Sequence, residues 1–316
     1  MTEIDLATWE LAARYYTYKG HKIAWWNEGE AGSEKPTLLL IHGFPTASWD
    51  WYKIWADLVP RFHLIAIDMI GFGFSDKPMK YPYSILDQAD IIEAVVREAG
   101  VNQFHILAHD YGDTVAQELS ARAIDGGDDA PKISSCCFLN GGLFPETHRA
   151  TFMQKRLAGL LGVLLARIMN AKSFAHGLSG IFGENTKPSA QELSAFWAMA
   201  TTRGDLRRIA HALLGYMKER KQHRERWVGA LTGSPVPIMV IDGAADPISG
   251  AHMVDRYRKL VTPSRTVLLE GIGHYPHVEA PAAVLEAFLE FNPGFVEGIG
   301  ICAPETLTKS FHRVID

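Results

Sequence analysis

Cysteine is scarce: Cys136, Cys137 and Cys302 are the three in 316 residues. Two are adjacent in an apolar run, which suits a buried strand and not a disulfide frame, and no Cys/His cluster has zinc-ligand spacing. A reducing, cytoplasmic setting with no metal and no cofactor is the expectation. Basic runs are also missing. With a formal net charge of -5 and no Lys/Arg block, the chain offers nucleic acid no electrostatic footprint. Long apolar runs are absent too. The most apolar helical stretch, Leu157 to Met169, has 13 residues and contains Arg167, too short and too charged to cross a bilayer. Met1 to Glu10 carries acids and no apolar stretch, which argues against a secretory signal or membrane anchor. No repeat or low-complexity tract is present. Hydrophobic residues at 47% and charged residues at 21% are enough to bury a large core and place the chain far from the disordered regime. The expected partner is a small molecule; self-association stays open.

What is present is a series of short apolar runs. Tyr15 to Trp26 reads as a strand pair turning at Lys19-Gly20. Thr37 to Ile41, Leu64 to Asp68, Phe104 to Ala108, Ile133 to Leu139, Val236 to Ile241 and Thr266 to Leu269 are unalternated. Such runs, separated by helical segments such as Ile85 to Ala99 and Thr114 to Ala123, predict a mostly parallel sheet covered on both faces. Between about Pro145 and Trp227 the pattern breaks. Met153 to Met169, Ala190 to Thr202 and Asp205 to Arg220 are helix-like and no strand intervenes. The expectation is a core domain made of 1–144 and 228–316, with a helical cap inserted at 145–227. The tail from Asn292 to Asp316 fits no element.

In open parallel sheets, functional groups gather at the carboxyl ends of strands. The residues after each run are therefore the candidates. Ala108-His109-Asp110-Tyr111-Gly112 fits a nucleophile elbow, a strand-to-helix turn so sharp that small residues are needed two positions either side of the nucleophile. Serine is the usual occupant; here it is Asp110. Alone, the pentapeptide suits a helix N-cap equally well. Asp246 and His274 follow in the order nucleophile, acid, histidine. Asp242 is a second candidate acid, and Asp246 is preferred because it lies further into its loop. His42 reads as support for its neighbouring loop. Gly43 permits a tight bend, the Phe44 N–H is a candidate oxyanion donor, and the Tyr111 N–H is the second. Trp49 and Trp51 are either pocket wall or packing.

Together these residues resemble the α/β-hydrolase superfamily, in its epoxide hydrolase and haloalkane dehalogenase branch. His42-Gly43-Phe44-Pro45, the stretch Gly71-Phe72-Gly73-Phe74-Ser75-Asp76-Lys77-Pro78, the aspartate elbow and the terminal histidine carry the likeness, over roughly residues 15 to 290. Within that branch the chain is most similar to the mesoderm-specific transcript family. His109-Asp110-Tyr111-Gly112-Asp113 followed by Val115 to Leu119, Asn140 to Arg149, and Arg226 to Leu231 are its marks. The resemblance implies an α/β-hydrolase fold with an inserted helical cap.

An aspartate nucleophile constrains the chemistry. Attack on an ester would give an anhydride, whereas attack on an sp³ carbon gives an alkyl ester, a sensible covalent intermediate. The leaving group is then an epoxide oxygen or a halide, and the substrate a small apolar molecule with a strained or activated C–O or C–halogen bond. His274, oriented by Asp246, would activate the water that hydrolyses the ester. Dehalogenases of this type place a Trp after the nucleophile and often an Asn in the oxyanion loop, where this chain has Tyr111 and Phe44. Epoxide hydrolases commonly use two cap tyrosines to protonate the alkoxide. By this likeness Tyr216, the single tyrosine of the cap, is the ring-opening acid, with His148 or His211 as candidate substitutes for the second. Phe174, Phe196, Trp197 and Leu213 either line a pocket or form the cap's own core. The reading is an epoxide hydrolase, with a haloalkane dehalogenase and a catalytically silent small-molecule-binding protein as the alternatives.

Overall fold

The computed structural model describes residues 3–126, 132–159 and 162–291. The tail from Asn292 to Asp316, Cys302 included, lies outside the described residues. Eight strands form one sheet: β1 (Arg14–Tyr18), β2 (His21–Glu28), β3 (Thr37–Ile41), β4 (His63–Ile67), β5 (Gln103–His109), β6 (Lys132–Leu139), β7 (Ile238–Gly243) and β8 (Thr266–Leu269), in the order β1-β2-β4-β3-β5-β6-β7-β8. The first hairpin turns at Lys19 and Gly20, both at positive φ, as a two-residue hairpin turn requires. β2 is antiparallel to β1 and β4, and every other pairing is parallel. All five residues of β3 and of β4 are buried, which explains why those runs do not alternate: both faces of the sheet are covered. Cys136 and Cys137 are buried, free thiols within β6.

Between β6 and β7 the described residues form helices and no strand. Two segments read from sequence as single helices are each divided. Phe152–Ala158 and Gly162–Arg167 part at Gly159, and Leu206–Leu213 and Tyr216–Gln222 part at Leu214-Gly215. Glycine's backbone entropy makes it a natural break point. The last inserted helix, Arg224–Thr232, packs on the helix Tyr111–Asp125, hereafter the elbow helix. Trp227 Nε1 donates to Glu118 Oε2 at 2.8 Å, and Gln117 Nε2 to the Trp227 carbonyl at 3.2 Å. The boundary expected after Trp227 thus falls within a helix seated on the core.

The turn from β5 into the elbow helix takes one residue. Asp110 stands there at φ 47° and ψ −104°, a conformation a non-glycine residue adopts only under strain. Gly112 makes the turn possible. A Cβ there would lie 2.5 Å from the carbonyl oxygens of both Ile41 and His42, so the helix can approach β3 this closely only without a side chain. Gly112→Ala is expected to lower unfolding free energy by about 1–3 kcal/mol through overpacking. Gly177→Ala, within the helix Ala171–Ser179 where a Cβ meets nothing within 4 Å, is expected to raise it by about 0.5–1 kcal/mol. Urea denaturation of the two variants checks both signs.

Candidate active site

Asp110 begins the elbow helix, yet its side chain makes no capping hydrogen bond. Its Oδ2 instead accepts from the Phe44 N–H at 3.1 Å. That bond needs Gly43, where a Cβ would lie 2.8 Å from the Asp110 Cβ. The loop carrying Phe44 is fixed from below by Asp68, at the end of β4. The Asp68 carboxylate accepts from Ser48 N (2.8 Å), Ser48 Oγ (2.6 Å) and Phe74 N (2.7 Å). His42 completes the support: one ring nitrogen donates to the Gly43 carbonyl (2.9 Å), and the other accepts the Met69 N–H (3.1 Å). Both nitrogens are spent on backbone, so His42 holds two loops together and has no polar atom to offer a substrate. The Tyr111 N–H opens the elbow helix, where the first amides have no intrahelical acceptor.

His274 and Asp246 meet Asp110 from the far end of the sheet. His274 Nε2 is 3.9 Å from Asp110 Oδ1, and its Nδ1 is 2.8 Å from Asp246 Oδ2. All three are buried. Asp246 also accepts from Ile248 N, Ser249 N, Ser249 Oγ and Asn140 Nδ2, so its charge is compensated in spite of burial. Burial alone would raise the Asp246 pKa, but His274 and these donors hold it below the usual carboxylate value. Burial would lower that of His274; Asp246 and then Asp110 outweigh it and push the imidazole up to about 9. The other candidate acid, Asp242, accepts from the Asn140 N–H at 2.6 Å and not from His274. Asn140 was not singled out as a site residue from the sequence. It follows β6 at φ 45°, and its position at a strand's carboxyl end was the available signal.

Tyr216 opens its helix and is 1% exposed, and its hydroxyl has no partner among the described residues. Its ring lies edge-on to Tyr111 at 5.0 Å. Burial, and then the charge of Asp110, raise its pKa, with Arg220 opposing. The phenol is therefore buried and protonated near Asp110, not turned to water. Arg220, on the same helix, is also buried and was not anticipated as a site residue. Its guanidinium lies 4.5 Å over the Tyr216 ring and donates to Thr114 Oγ1 (2.7 Å), the Asp110 carbonyl (3.2 Å) and His148 Nδ1 (3.3 Å). His211 is elsewhere, with Nδ1 on the Leu157 carbonyl. Trp49 is used in packing: it stacks on Tyr52, meets Phe196 edge-on and donates Nε1 to the Ile4 carbonyl. Trp51 Nε1 is buried without a partner among the described residues. Phe174 packs on Trp197, while Phe196 also reaches Tyr275, beside His274.

Among the described residues, Asp50, His109 and His277 are the group whose ligand atoms lie close enough to share an ion, within 4.8 Å of one another. All are buried, and neither Asp110 nor His274 belongs to the set. A cleft of about 470 Å³ lined by Lys35, Pro36, Gly100, Asn102 and Ser134 lies at the amino ends of the strands, the opposite end from Asp110. No helix among the described residues is long and apolar enough to cross a membrane.

The model of the alpha/beta hydrolase fold family matches residues 36–281. The chain belongs to this family. It is 43% identical to the bovine mesoderm-specific transcript homolog protein, over 92% of this chain and 88% of the relative. It is 37% identical to the putative hydrolase LipZ of Mycobacterium tuberculosis, over 81% and 88%. Among solved structures, a haloalkane dehalogenase loop variant from Bradyrhizobium elkanii superposes with a TM-score of 0.74 at 23% identity, over 90% of this chain and 97% of the other. The epoxide hydrolase CorEH does so at 0.70 and 18%, over 89% and 98%. At these identities the two structures establish the fold alone. Aspartate, imidazole and second carboxylate, with a backbone N–H on the first, form an arrangement capable of nucleophilic attack followed by base-assisted hydrolysis.

The charges around His274 give a titration signature. Because Asp246 and Asp110 both favour the imidazolium, Asp246→Asn is expected to lower the His274 pKa furthest. Asp110→Asn is expected to lower it less. In both, the neutral fraction at pH 7 rises. Following the imidazole resonances of His274 against pH in the three proteins checks the order.

Proposed function

We propose that this protein hydrolyses epoxides to vicinal diols through an alkyl ester on Asp110. The observation that carries the reading is the Tyr216 hydroxyl: buried, without a partner among the described residues, and close enough to Asp110 for that charge to raise its pKa. A leaving alkoxide needs a proton, and a protonated phenol beside the nucleophile supplies one. A departing halide needs only N–H donors. The positions where related dehalogenases place them are Tyr111 and Phe44, and Trp49 Nε1 is already bonded to the Ile4 carbonyl.

In the first half-reaction Asp110 Oδ1, which makes no hydrogen bond among the described residues, attacks an epoxide carbon. The C–O bond of the ring breaks, its electron pair stays on oxygen, and that oxygen takes the Tyr216 proton. Oδ2, on the Phe44 N–H, becomes the ester carbonyl oxygen. In the second half, the His274 imidazolium first returns a proton to the Tyr216 phenolate. The neutral ring, no longer held protonated by the Asp110 charge that the ester has removed, then takes one proton from water as the water oxygen adds to the ester carbon. The Phe44 and Tyr111 amides stabilise the resulting oxyanion. Collapse releases the diol, which keeps water's second proton, and leaves Asp110 ionised and His274 protonated as at the start. The 3.9 Å between His274 and Oδ1 suits this order. It is too long for a direct hydrogen bond and short enough for one water to serve both groups. The apolar residues of the cap, Phe196 among them, favour a small apolar epoxide.

Two measurements test the reading. His274→Gln, incubated with mixed epoxides and separately with mixed haloalkanes, is expected to accumulate an ester on the Asp110 peptide with the epoxides; an adduct with haloalkanes alone would assign the leaving group to halide. In heavy-oxygen water, a single turnover of the wild type should label the Asp110 carboxylate and leave the first diol unlabelled. Label appearing in that first diol would mean direct attack of water on the epoxide and would dismiss the ester.

A further inference from the structure

Tyr216 is the single tyrosine of the inserted segment, but its hydroxyl is not the single orphaned donor beside it. His148, in the segment that follows β6, has its Nδ1 3.3 Å from Arg220 Nη1 and its Nε2 buried with no partner among the described residues. A guanidinium can only donate, so Nδ1 must carry the lone pair. The neutral ring then has its hydrogen on Nε2. Burial, followed by the charges of Arg220 and His274, holds the His148 pKa down at about 3, so the ring is neutral throughout the working range. Its neighbours mark where it stands. Its ring is 6.5 Å from that of Tyr216 and edge-on to it, and His274 and Asp246 are among the charges it senses.

One glycine makes room for this arrangement. A Cβ on Gly142 would lie 2.2 Å from Arg220 Nη1 and 3.0 Å from His148 Nδ1. Arg220 forms no ion pair among the described residues. It spends its donors on Thr114, the Asp110 carbonyl and His148. A buried guanidinium with neutral partners is costly unless those contacts matter. Here they fix the backbone of Asp110 and the tautomer of His148 together. A buried imidazole N–H and a buried phenol O–H, both without partners among the described residues, are costly to leave unmade, and a bound oxygen would satisfy both.

We propose that His148 donates its Nε2–H to the leaving-group oxygen alongside Tyr216, so that this chain opens its substrate with a tyrosine–histidine pair and Arg220 sets the histidine's tautomer. This rests on the epoxide reading above. Tyr216 gives up its proton as the ring C–O bond breaks. His148 keeps its hydrogen and supplies a hydrogen bond, first to the developing alkoxide and then to the phenolate. Its contribution therefore belongs to ester formation and not to ester hydrolysis.

The test separates the two half-reactions with styrene oxide as the probe, using rapid quench and intact mass to follow the Asp110 ester. His148→Leu is expected to slow ester formation by about 10²-fold, as loss of one oxyanion donor does, with hydrolysis of the preformed ester unchanged. The deficit should shrink for ring-substituted styrene oxides whose oxygen is a better leaving group. His148→Gln, which can accept from Arg220 and still donate an N–H, should recover most of the loss. Wild-type rates of ester formation in His148→Leu would overturn the proposal and leave the epoxide reading intact. Equal slowing of both half-reactions would overturn it too, as a general loss of structure. Wild-type protein that forms no ester with any epoxide would remove both readings. Should His148→Leu fail to fold, the His148 Nε2–H resonance of the wild type decides: it must shift when styrene glycol is added, and an unmoved resonance overturns the assignment.

Discussion

The close passage of the end of β3 over the first turn of the elbow helix sets the spacing of everything else at the site. Two absent side chains allow it. Gly112 lets the helix lie under the Ile41 and His42 carbonyls, and Gly43 lets the loop bend over Asp110. The result is a backbone amide, that of Phe44, placed 3.1 Å from a carboxylate oxygen. Asp110 occupies a backbone conformation that costs about 1–3 kcal/mol. Three bonds hold it there: its N–H to the Leu139 carbonyl, and its carbonyl to the Asp113 N–H and Arg220 Nη2. The strain is thus balanced by β6, by the elbow helix and by an inserted helix at once.

The two carboxylates near His274 differ in how they are solvated. Asp246 is saturated with donors, and this keeps it ionised as an orienting charge. Asp110 has one backbone donor on one oxygen and none on the other among the described residues. That difference suits the role proposed for Asp110, because every hydrogen bond on an attacking oxygen would have to break in the transition state. On the proposed reading the same logic extends to the leaving group, for which the Tyr216 hydroxyl stays without a partner among the described residues at a stability cost.

The strands were legible because burial on both faces leaves nothing to alternate; Thr37–Ile41 was read with its observed limits. β7 begins at Ile238 and not at Val236, since Pro237 has no N–H to give the ladder. The elbow helix begins three residues before Thr114, because Gly112 and Asp113 read as loop when the packing that demands them is out of view. Asp110, Asp246, His274 and Phe44 were legible because the fold places such groups at strand ends in a fixed order. Asn140 and Arg220 were not. The first joins Asp246 across 106 residues of sequence and the second joins His148 across 72. Such pairings depend on the tertiary fold and leave no local pattern. Tyr216 was legible as a residue, but the burial of its hydroxyl was not.

The last inserted helix returns to the core by gripping the elbow helix. Glu118 receives Arg226 and Trp227 as well as Arg122 from its own helix, and Gln117 reaches both the Leu143 and Trp227 carbonyls. For anyone recombining members of this family, the natural splice point is therefore the start of that helix and not its end. A foreign insert joined at residue 224 would leave Arg226 and Trp227 on Glu118, while one joined after Thr232 would bring its own clasp to an elbow that does not match it. In either case Arg220 would be lost from behind Asp110. The contacts behind Asp110 and along the elbow helix would thus have to be exchanged together with the segment that makes them.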